Sequence, residues 1–192
     1  KWNASANGFE AGALGGSMVL LSTQTASNSA TLDFTSGIDD TYDSYVFKFI
    51  NCHPVTDNVD FSFQVDTGTN TNYNIVCTTT FFRASHGEGG GTALAYRAND
   101  DQAQGTGFNK LMQTVGADND QSGVGYLQIF NPSSSTFVKH WIANTNSCHE
   151  GDITRNVYTA GYFNTTTALT RVQFKMSSGN IDAGTIKMYG IT

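Results

Sequence analysis

The stretch Asp60-Phe-Ser-Phe-Gln-Val-Asp66 alternates polar and apolar residues without a break. Successive side chains of a β-strand point to opposite faces of its sheet. The alternation therefore predicts a strand with Phe61, Phe63 and Val65 buried and its polar residues in water. The same period of two appears in residues 45–49 and 171–176. These segments favour an antiparallel sheet with one buried face.

Twelve strand-like segments run along the chain, separated by clusters of Gly, Asn, Asp and Ser. The predicted strands are 17–22, 28–34, 44–51, 58–66, 73–84, 92–97, 108–115, 123–130, 136–145, 156–163, 169–176 and 184–191. No window of a dozen residues carries the apolar spacing of an amphipathic helix. The sequence predicts an all-β fold, a two-sheet antiparallel β-sandwich of the jelly-roll type.

The length of 192 residues fits a single domain. We expect the sandwich to span 17–192, after a flexible N-terminal arm or linker of small residues at 1–16. The last predicted strand, 184–191, has apolar side chains on both faces, which predicts that it lies between two other strands. Because the chain opens at Lys1 rather than Met, we expect a processed product or the C-terminal piece of a longer protein.

Composition argues against two classes of partner. The formal net charge is -6, only 14% of the residues are charged, and no segment is a basic run. A protein that binds nucleic acid or anionic lipid through its charge needs a positive surface, so neither partner is expected. No apolar run approaches the roughly 18 residues that would span a bilayer, so we expect no membrane insertion.

The sequence offers little for catalysis. A glycosidase uses two facing carboxylates, but the glutamates are only Glu10, Glu88 and Glu150, and the aspartates are scattered. The chain also lacks the nucleophile elbow of serine hydrolases, a phosphate loop and a dinucleotide-binding fingerprint. We therefore expect a protein that is not an enzyme.

One segment matches the start of a calcium-binding loop. Asp118-Asn-Asp-Gln-Ser-Gly123 fits the first six positions of such a loop, with Asp118, Asp120 and Ser122 as candidate calcium ligands. The twelfth position is Ile129, which cannot supply the bidentate carboxylate. A turn without metal is the alternative, and no other cofactor is expected.

A glycine-rich connection is the best candidate for a binding loop. It runs from Arg83 through His86 to Gly91 and leads to Tyr96 and Arg97. Loops at the ends of β-sandwiches commonly carry binding function. Aromatic rings can stack on sugars, and Arg can donate planar hydrogen bonds. Arg83, His86, Tyr96 and Arg97 are therefore the predicted ligand-binding residues, with a loop that binds nothing as the alternative.

Four segments resemble a recurrent type of virion protein from marine bacteriophages, especially cyanophages. They are residues 19–27 (VLLSTQTAS), 33–43 (DFTSGIDDTYD), 130–135 (FNPSSS) and 173–190 (QFKMSSGNIDAGTIKMYG). The resemblance implies a non-enzymatic structural protein of the virion, exposed on the particle. A tail-fibre or appendage domain that contacts host-surface glycan is the leading interpretation. A capsid decoration protein is the alternative, and a polysaccharide-degrading enzyme is a remote one.

The same resemblance implies the partners. Such proteins assemble in repeated copies, so we expect a homo-oligomer, with a trimer favoured, that also contacts other virion proteins.

Overall fold

A computed structural model of the chain describes residues 2–3, 8–9 and 18–192. These residues contain strands and no helix, which confirms the predicted all-β class. Two short strands, β1 (Trp2–Asn3) and β2 (Gly8–Phe9), pair with each other. The remaining strands are β3 (Met18–Thr25), β4 (Leu32–Phe34), β5 (Ser44–Pro54), β6 (Val59–Asp66), β7 (Cys77–Gly87), β8 (Thr92–Tyr96), β9 (Asn109–Val115), β10 (Gly123–Phe130), β11 (Lys139–His149), β12 (Ile153–Phe163), β13 (Arg171–Met176) and β14 (Ile181–Ile191).

The predicted N-terminal arm, 1–16, lies outside the described residues apart from β1 and β2. No helix of the described chain is long and apolar enough to cross a membrane.

Strands β3 to β14 form one antiparallel sheet that is nearly closed into a barrel. Its main path is β3-β14-β5-β10-β11-β9-β6-β13-β4, and β12, β7 and β8 continue outward from β11 as a branch. The two ends of the path meet where Gln24 Nε2 on β3 donates a hydrogen bond to Asp33 O on β4, at 3.3 Å. We call the surface around the core the inner face and the opposite surface the outer face.

The C-terminal strand lies inside the sheet, as the sequence predicts. β14 pairs with β3 on one side and with β5 on the other. Ile186 and Met188 are buried against the core, whereas Lys187 and Tyr189 on the outer face are partly exposed. Both faces of this strand are therefore covered or partly covered.

Phenylalanines fill the core around Phe174 of β13. The ring centroid of Phe174 lies between 5.4 and 6.2 Å from those of five other phenylalanines. These are Phe34, Phe47, Phe49, Phe61 and Phe63. Edge-to-face and offset contacts of this kind stabilise a core beyond the area that they bury.

The prediction that one face of β6 is in water is wrong. Ser62, Gln64 and Asp66 are buried along with the apolar side chains of the strand. Gln64 Nε2 donates to the carbonyl oxygen of Gly107 at 2.9 Å, and Asp66 accepts a hydrogen bond from Gly68 N at 2.7 Å. The connecting segments thus cover the outer face of β6, and their backbone groups satisfy its polar side chains.

Candidate functional site

The outer face carries a row of side chains that are in register across five adjacent strands. Backbone pairing places Tyr96 (β8) opposite Phe82 (β7), and Phe82 opposite Tyr158 (β12). Tyr158 is opposite Asn144 (β11), and Asn144 is opposite Tyr126 (β10). We call these five residues the aromatic row.

The four rings of the aromatic row are accessible to solvent. Each of the four side chains is exposed by between 42% and 56%. Their sequence neighbours Phe81, Val157 and Leu127 are buried, because alternate residues of a strand point to opposite faces. Isolated exposed aromatics are common on protein surfaces, whereas a contiguous exposed apolar patch is a candidate binding surface.

Two contacts hold the β8 end of the row in place. The rings of Phe82 and Tyr96 meet edge to face, with 5.2 Å between their centroids. The Tyr96 hydroxyl donates a hydrogen bond to Asp101, and this bond is the main cause of the raised pKa of Tyr96. Further along the row, Tyr158 and Tyr126 are two strand spacings apart, or roughly 10 Å.

Two adjoining hollows lie beside the aromatic row. The first, of about 280 Å³, is walled by Phe82, Tyr126 and Tyr158. The second, of about 350 Å³, reaches His140 and Tyr162. The residues common to both hollows are Thr80, Ile142 and Ala160. Together they form an open groove with aromatic walls, which suits an elongated ligand rather than a compact one.

Hydrogen-bonded amides stand next to the aromatic row. Asn156 Nδ2 donates to Asn144 Oδ1 at 3.1 Å and to Thr145 O at 2.8 Å. Asn146 Nδ2 donates to Thr154 Oγ1 at 2.9 Å. Side-chain amides carry both donors and acceptors, so these three asparagines can bind hydroxyl groups of a ligand that lies on the rings.

The register row continues beyond Tyr126 to two lysines. Lys48 of β5 is opposite Tyr126, and Lys187 of β14 is opposite Lys48. Among residues 18–192, neither lysine lies within 4.0 Å of a carboxylate oxygen. Like charges directly opposite on neighbouring strands are destabilising. Although the protein has a net charge of -6, these two lysines form a local positive site. A ligand that lies along the aromatic row would therefore be favoured if it carries an anionic group at this end.

The structure separates the four predicted ligand-binding residues. β7 continues to Gly87, so Arg83 and His86 belong to a strand rather than to an exposed loop, and they point to opposite faces. His86 and Tyr96 lie on the outer face. Arg83 Nη1 instead donates to Gln113 Oε1 on β9 at 2.5 Å, and Arg97 pairs with Asp100 at 3.2 Å.

His86 lines a third hollow, of about 410 Å³, at the turn between β11 and β12. Its walls include Glu88, Cys148 and Asp152. Burial raises the pKa of the Cys148 thiol, and nearby carboxylates, first that of Asp152, raise it further. This hollow is therefore acidic, and Cys148 is present in it as a neutral thiol at pH 7.

The candidate calcium ligands Asp118, Asp120 and Ser122 lie between β9 and β10. Their segment is a turn in which Gln121 N donates to Asp118 O at 2.9 Å. Gln121 is the buried side chain of this turn, and it accepts a hydrogen bond from Asp118 N at 3.2 Å. Within the described ranges, no three His, Cys, Asp or Glu side chains form a group that could hold a metal ion.

Comparison with protein-family models, with curated proteins and with solved structures finds no match to this chain. The outer face is therefore the main basis for assigning a function.

Sequence reasoning found only Tyr96 among the members of the aromatic row. Phe82, Tyr126, Asn144 and Tyr158 all lie in predicted strands. The alternation of buried and exposed positions marks each of them as an outward residue. The alternation within each strand does not determine the register between strands, so it could not predict that these residues are aligned.

Proposed function

We propose that this chain is a non-enzymatic structural domain of a bacteriophage virion, and that it binds glycan of the host surface along its outer face. We place it in a tail fibre or appendage of the particle. The observation that supports glycan binding most directly is the aromatic row. The flat faces of sugar rings stack on exposed aromatic rings, and their hydroxyls hydrogen-bond to amides such as that of Asn144.

The shape and charge of the outer face favour an extended, acidic glycan. The groove beside Tyr126 and Tyr158 is open to solvent. An internal segment of a polysaccharide can therefore bind in it, and a chain end is not needed. Lys48 and Lys187 continue the row and can pair with carboxylate or phosphate groups of the sugar chain. The virion context rests on the resemblance of residues 19–27, 33–43, 130–135 and 173–190 to phage proteins.

We propose that the glycan is bound and not cleaved. Hydrolysis of a glycosidic bond requires two carboxyl groups on either side of that bond. The carboxylate in contact with the aromatic row, Asp101, accepts a hydrogen bond from the Tyr96 hydroxyl. We assign it the role of orienting that ring.

A second candidate, capsid decoration through contacts between subunits, is favoured by β8. Within the part of the chain that the structure describes, this strand pairs with β7 on one side only, and its Leu94 is 81% exposed. An edge strand presents unpaired backbone groups that can pair with another chain. We propose that the chain forms a homo-oligomer, a trimer, through this edge, and that it also contacts other virion proteins.

We further propose that the nearly closed sheet packs as two layers, in the manner of a jelly-roll sandwich. Trp141 of β11 and Phe63 of β6 lie 4.9 Å apart between ring centroids, although these two strands do not pair with each other. Contacts of this type join the inner faces of two facing layers.

The test is binding of the purified protein to host cells and to their isolated surface polysaccharide. We expect the double variant Tyr126→Ala, Tyr158→Ala to lose binding while its circular dichroism spectrum is unchanged. Phe137→Ala is the matched control, because Phe137 is an exposed aromatic outside the row. Unchanged binding of the double variant would show that the aromatic row is not the site.

Two further measurements separate the candidates. Electron microscopy of the particle gives location and copy number, and a copy number that matches the capsid lattice would favour decoration. Release of reducing ends from the polysaccharide would contradict a role in binding alone.

A further inference from the structure

The inner face of β7 and β12 brings two arginines together, away from the aromatic row. Arg155 of β12 is opposite Ser147 on β11 and Ser85 on β7. Arg83 of β7 is opposite Val157, two residues along the strand from Arg155. The two arginines are therefore diagonal neighbours on one face, with side-chain attachment points roughly 7–8 Å apart.

Several donors of this pair have no partner among residues 18–192. Nε and Nη1 of Arg155 are each exposed by less than 1 Å², and neither donates a hydrogen bond to any of residues 18–192. The same holds for Arg83 Nε, although Arg83 Nη1 donates to Gln113. Ser147, only 2% exposed, has a hydroxyl without a partner among the same residues. Buried polar groups are almost always hydrogen-bonded, so four such atoms in one place require an explanation.

The charge of Arg155 is also poorly compensated. Burial lowers its pKa to about 10, and the next largest cause is the neighbouring positive charge of Arg83. Glu150 acts in the opposite direction, but across the described chain no carboxylate oxygen lies within 4.0 Å of either guanidinium. A partly buried cation without a close counter-ion is unfavourable, and an anion that reaches it lowers that cost.

We propose that Arg83 and Arg155 bind a tetrahedral oxyanion, a phosphate or sulfate group, with the Ser147 hydroxyl as an additional donor. Arg83 Nε, Arg155 Nε and the Ser147 hydroxyl belong to three separate side chains, so one carbonyl oxygen cannot accept from all of them. A tetrahedral oxyanion offers several acceptor oxygens at once, and charge-assisted hydrogen bonds from arginine are the strong ones. The site lies on the opposite face of β7 from the aromatic row, so it does not depend on glycan binding.

The experiment compares thermal unfolding of the protein in inorganic phosphate, sulfate and chloride at equal ionic strength. A ligand that binds only the folded state raises Tm as its concentration rises. We expect phosphate and sulfate to raise Tm and chloride to leave it unchanged. Arg155→Met should abolish this response, whereas Arg171→Met, which removes an arginine from β13, should keep it.

Isothermal titration with inorganic phosphate gives the affinity directly. Arg155→Lys keeps the charge but loses the directed donors, so we expect its Kd to rise about tenfold or more. Glucose 6-phosphate is the second probe. Binding of both probes identifies a site open to phosphate esters, and binding of inorganic phosphate alone identifies a site for the free ion.

The proposal is wrong if the native Tm follows ionic strength alone, or if Arg155→Met and Arg171→Met respond equally to phosphate. Should Arg155→Met fail to fold, the phosphorus NMR signal of inorganic phosphate with the native protein decides the question. A signal that stays sharp in the presence of the protein excludes the site.

Discussion

Tyr126 and Tyr158 are both in register with Asn144, one on each side of it. Two exposed rings therefore flank one amide on three consecutive strands, β10, β11 and β12. All three strands are paired on both sides, so the backbone that carries this trio is held in place by the sheet. A site of this kind binds with little loss of conformational entropy.

We predict that Tyr158→Ala weakens binding of the host polysaccharide by about 1 kcal/mol, or about fivefold in Kd, because one stacking contact is lost. Its free energy of unfolding should change by less than about 0.5 kcal/mol, since the side chain is exposed. Tyr158→Phe keeps the ring and should bind as the native protein does. Titration calorimetry and urea unfolding measure the two effects, and equal Kd values for all three proteins would contradict the prediction.

Lys187→Gln should move stability and binding in opposite directions. Removing one of two facing positive charges relieves repulsion with Lys48, so we expect a gain of a few tenths of a kcal/mol in the free energy of unfolding. Binding of an acidic polysaccharide should weaken and become less dependent on salt. If Lys187→Gln weakens binding of a neutral polysaccharide as much as binding of the acidic one, the lysines do not bind the acidic groups of the ligand.

Phe174→Ala should be among the most destabilising substitutions in the core. Its ring contacts five other phenylalanines, and deletion of a buried phenylalanine side chain costs about 3–5 kcal/mol. Phe82→Ala, on the outer face, is the matched control and should cost only about 1 kcal/mol, because it loses the edge-to-face contact with Tyr96. Urea unfolding of the two variants tests the assignment of inside and outside, and similar losses would contradict it.

His149 should make stability depend on pH in mildly acidic solution. Burial, and next the charge of Arg155, lower the pKa of His149 from 6.5, and Gly151 N donates a hydrogen bond to its Nδ1 at 2.9 Å. The folded state thus favours the neutral ring, so the stability is complete above 6.5 and is lost as pH falls below 6.5 toward the lowered value.

Urea unfolding between about pH 7 and about pH 5 measures this loss. We expect His149→Gln to show a flatter profile in that window. Asp39 and Asp100 have pKa values lowered from 3.8, so their contributions are lost only at more acidic pH. A His149→Gln profile as steep as that of the native protein would contradict the assignment.

Removal of residues 185–192 should prevent folding. It deletes most of β14, including the buried side chains of Ile186 and Met188, and it leaves β3 and β5 without their shared partner. Removal of Thr192 alone, an exposed residue beyond the strand, should have no effect. Circular dichroism and limited proteolysis measure the outcome, and a folded protein without 185–192 would contradict the role of β14.

The elements of this fold could be predicted from sequence because they are local. Each of the twelve predicted strands overlaps an observed one, and the alternation in 171–176 gives the correct buried face. The predicted exposure of the polar face of β6 is wrong because segments distant in the chain cover that face. The hydrogen bond from Gln64 Nε2 to Gly107 O is one contact of this cover. Contacts from distant segments cannot be predicted from the alternation of polar and apolar residues within the strand.

The candidate site was less predictable. The glycine-rich stretch after Arg83 indicated a loop, whereas backbone pairing with β8 extends β7 to Gly87. Once that extension is known, the spacing of three residues places Arg83 and His86 on opposite faces. The alignment of Tyr126 with Tyr158 depends on the register of β10, β11 and β12. A shift of one residue in the register of either strand pair would remove this alignment. The register cannot be predicted from one sequence alone.

The position of β14 also constrains how the polypeptide matures. Met18–Thr25 and Ser44–Pro54 leave the ribosome before residues 181–191, which are the segment that joins them within the described ranges. Until that segment has left the ribosome, β3 and β5 each have an open strand edge, and the core lacks the side chains of Ile186 and Met188. Contacts over such sequence distances slow folding. Open edges of this kind can pair with other chains, so the incomplete chain is more exposed to aggregation than the finished one.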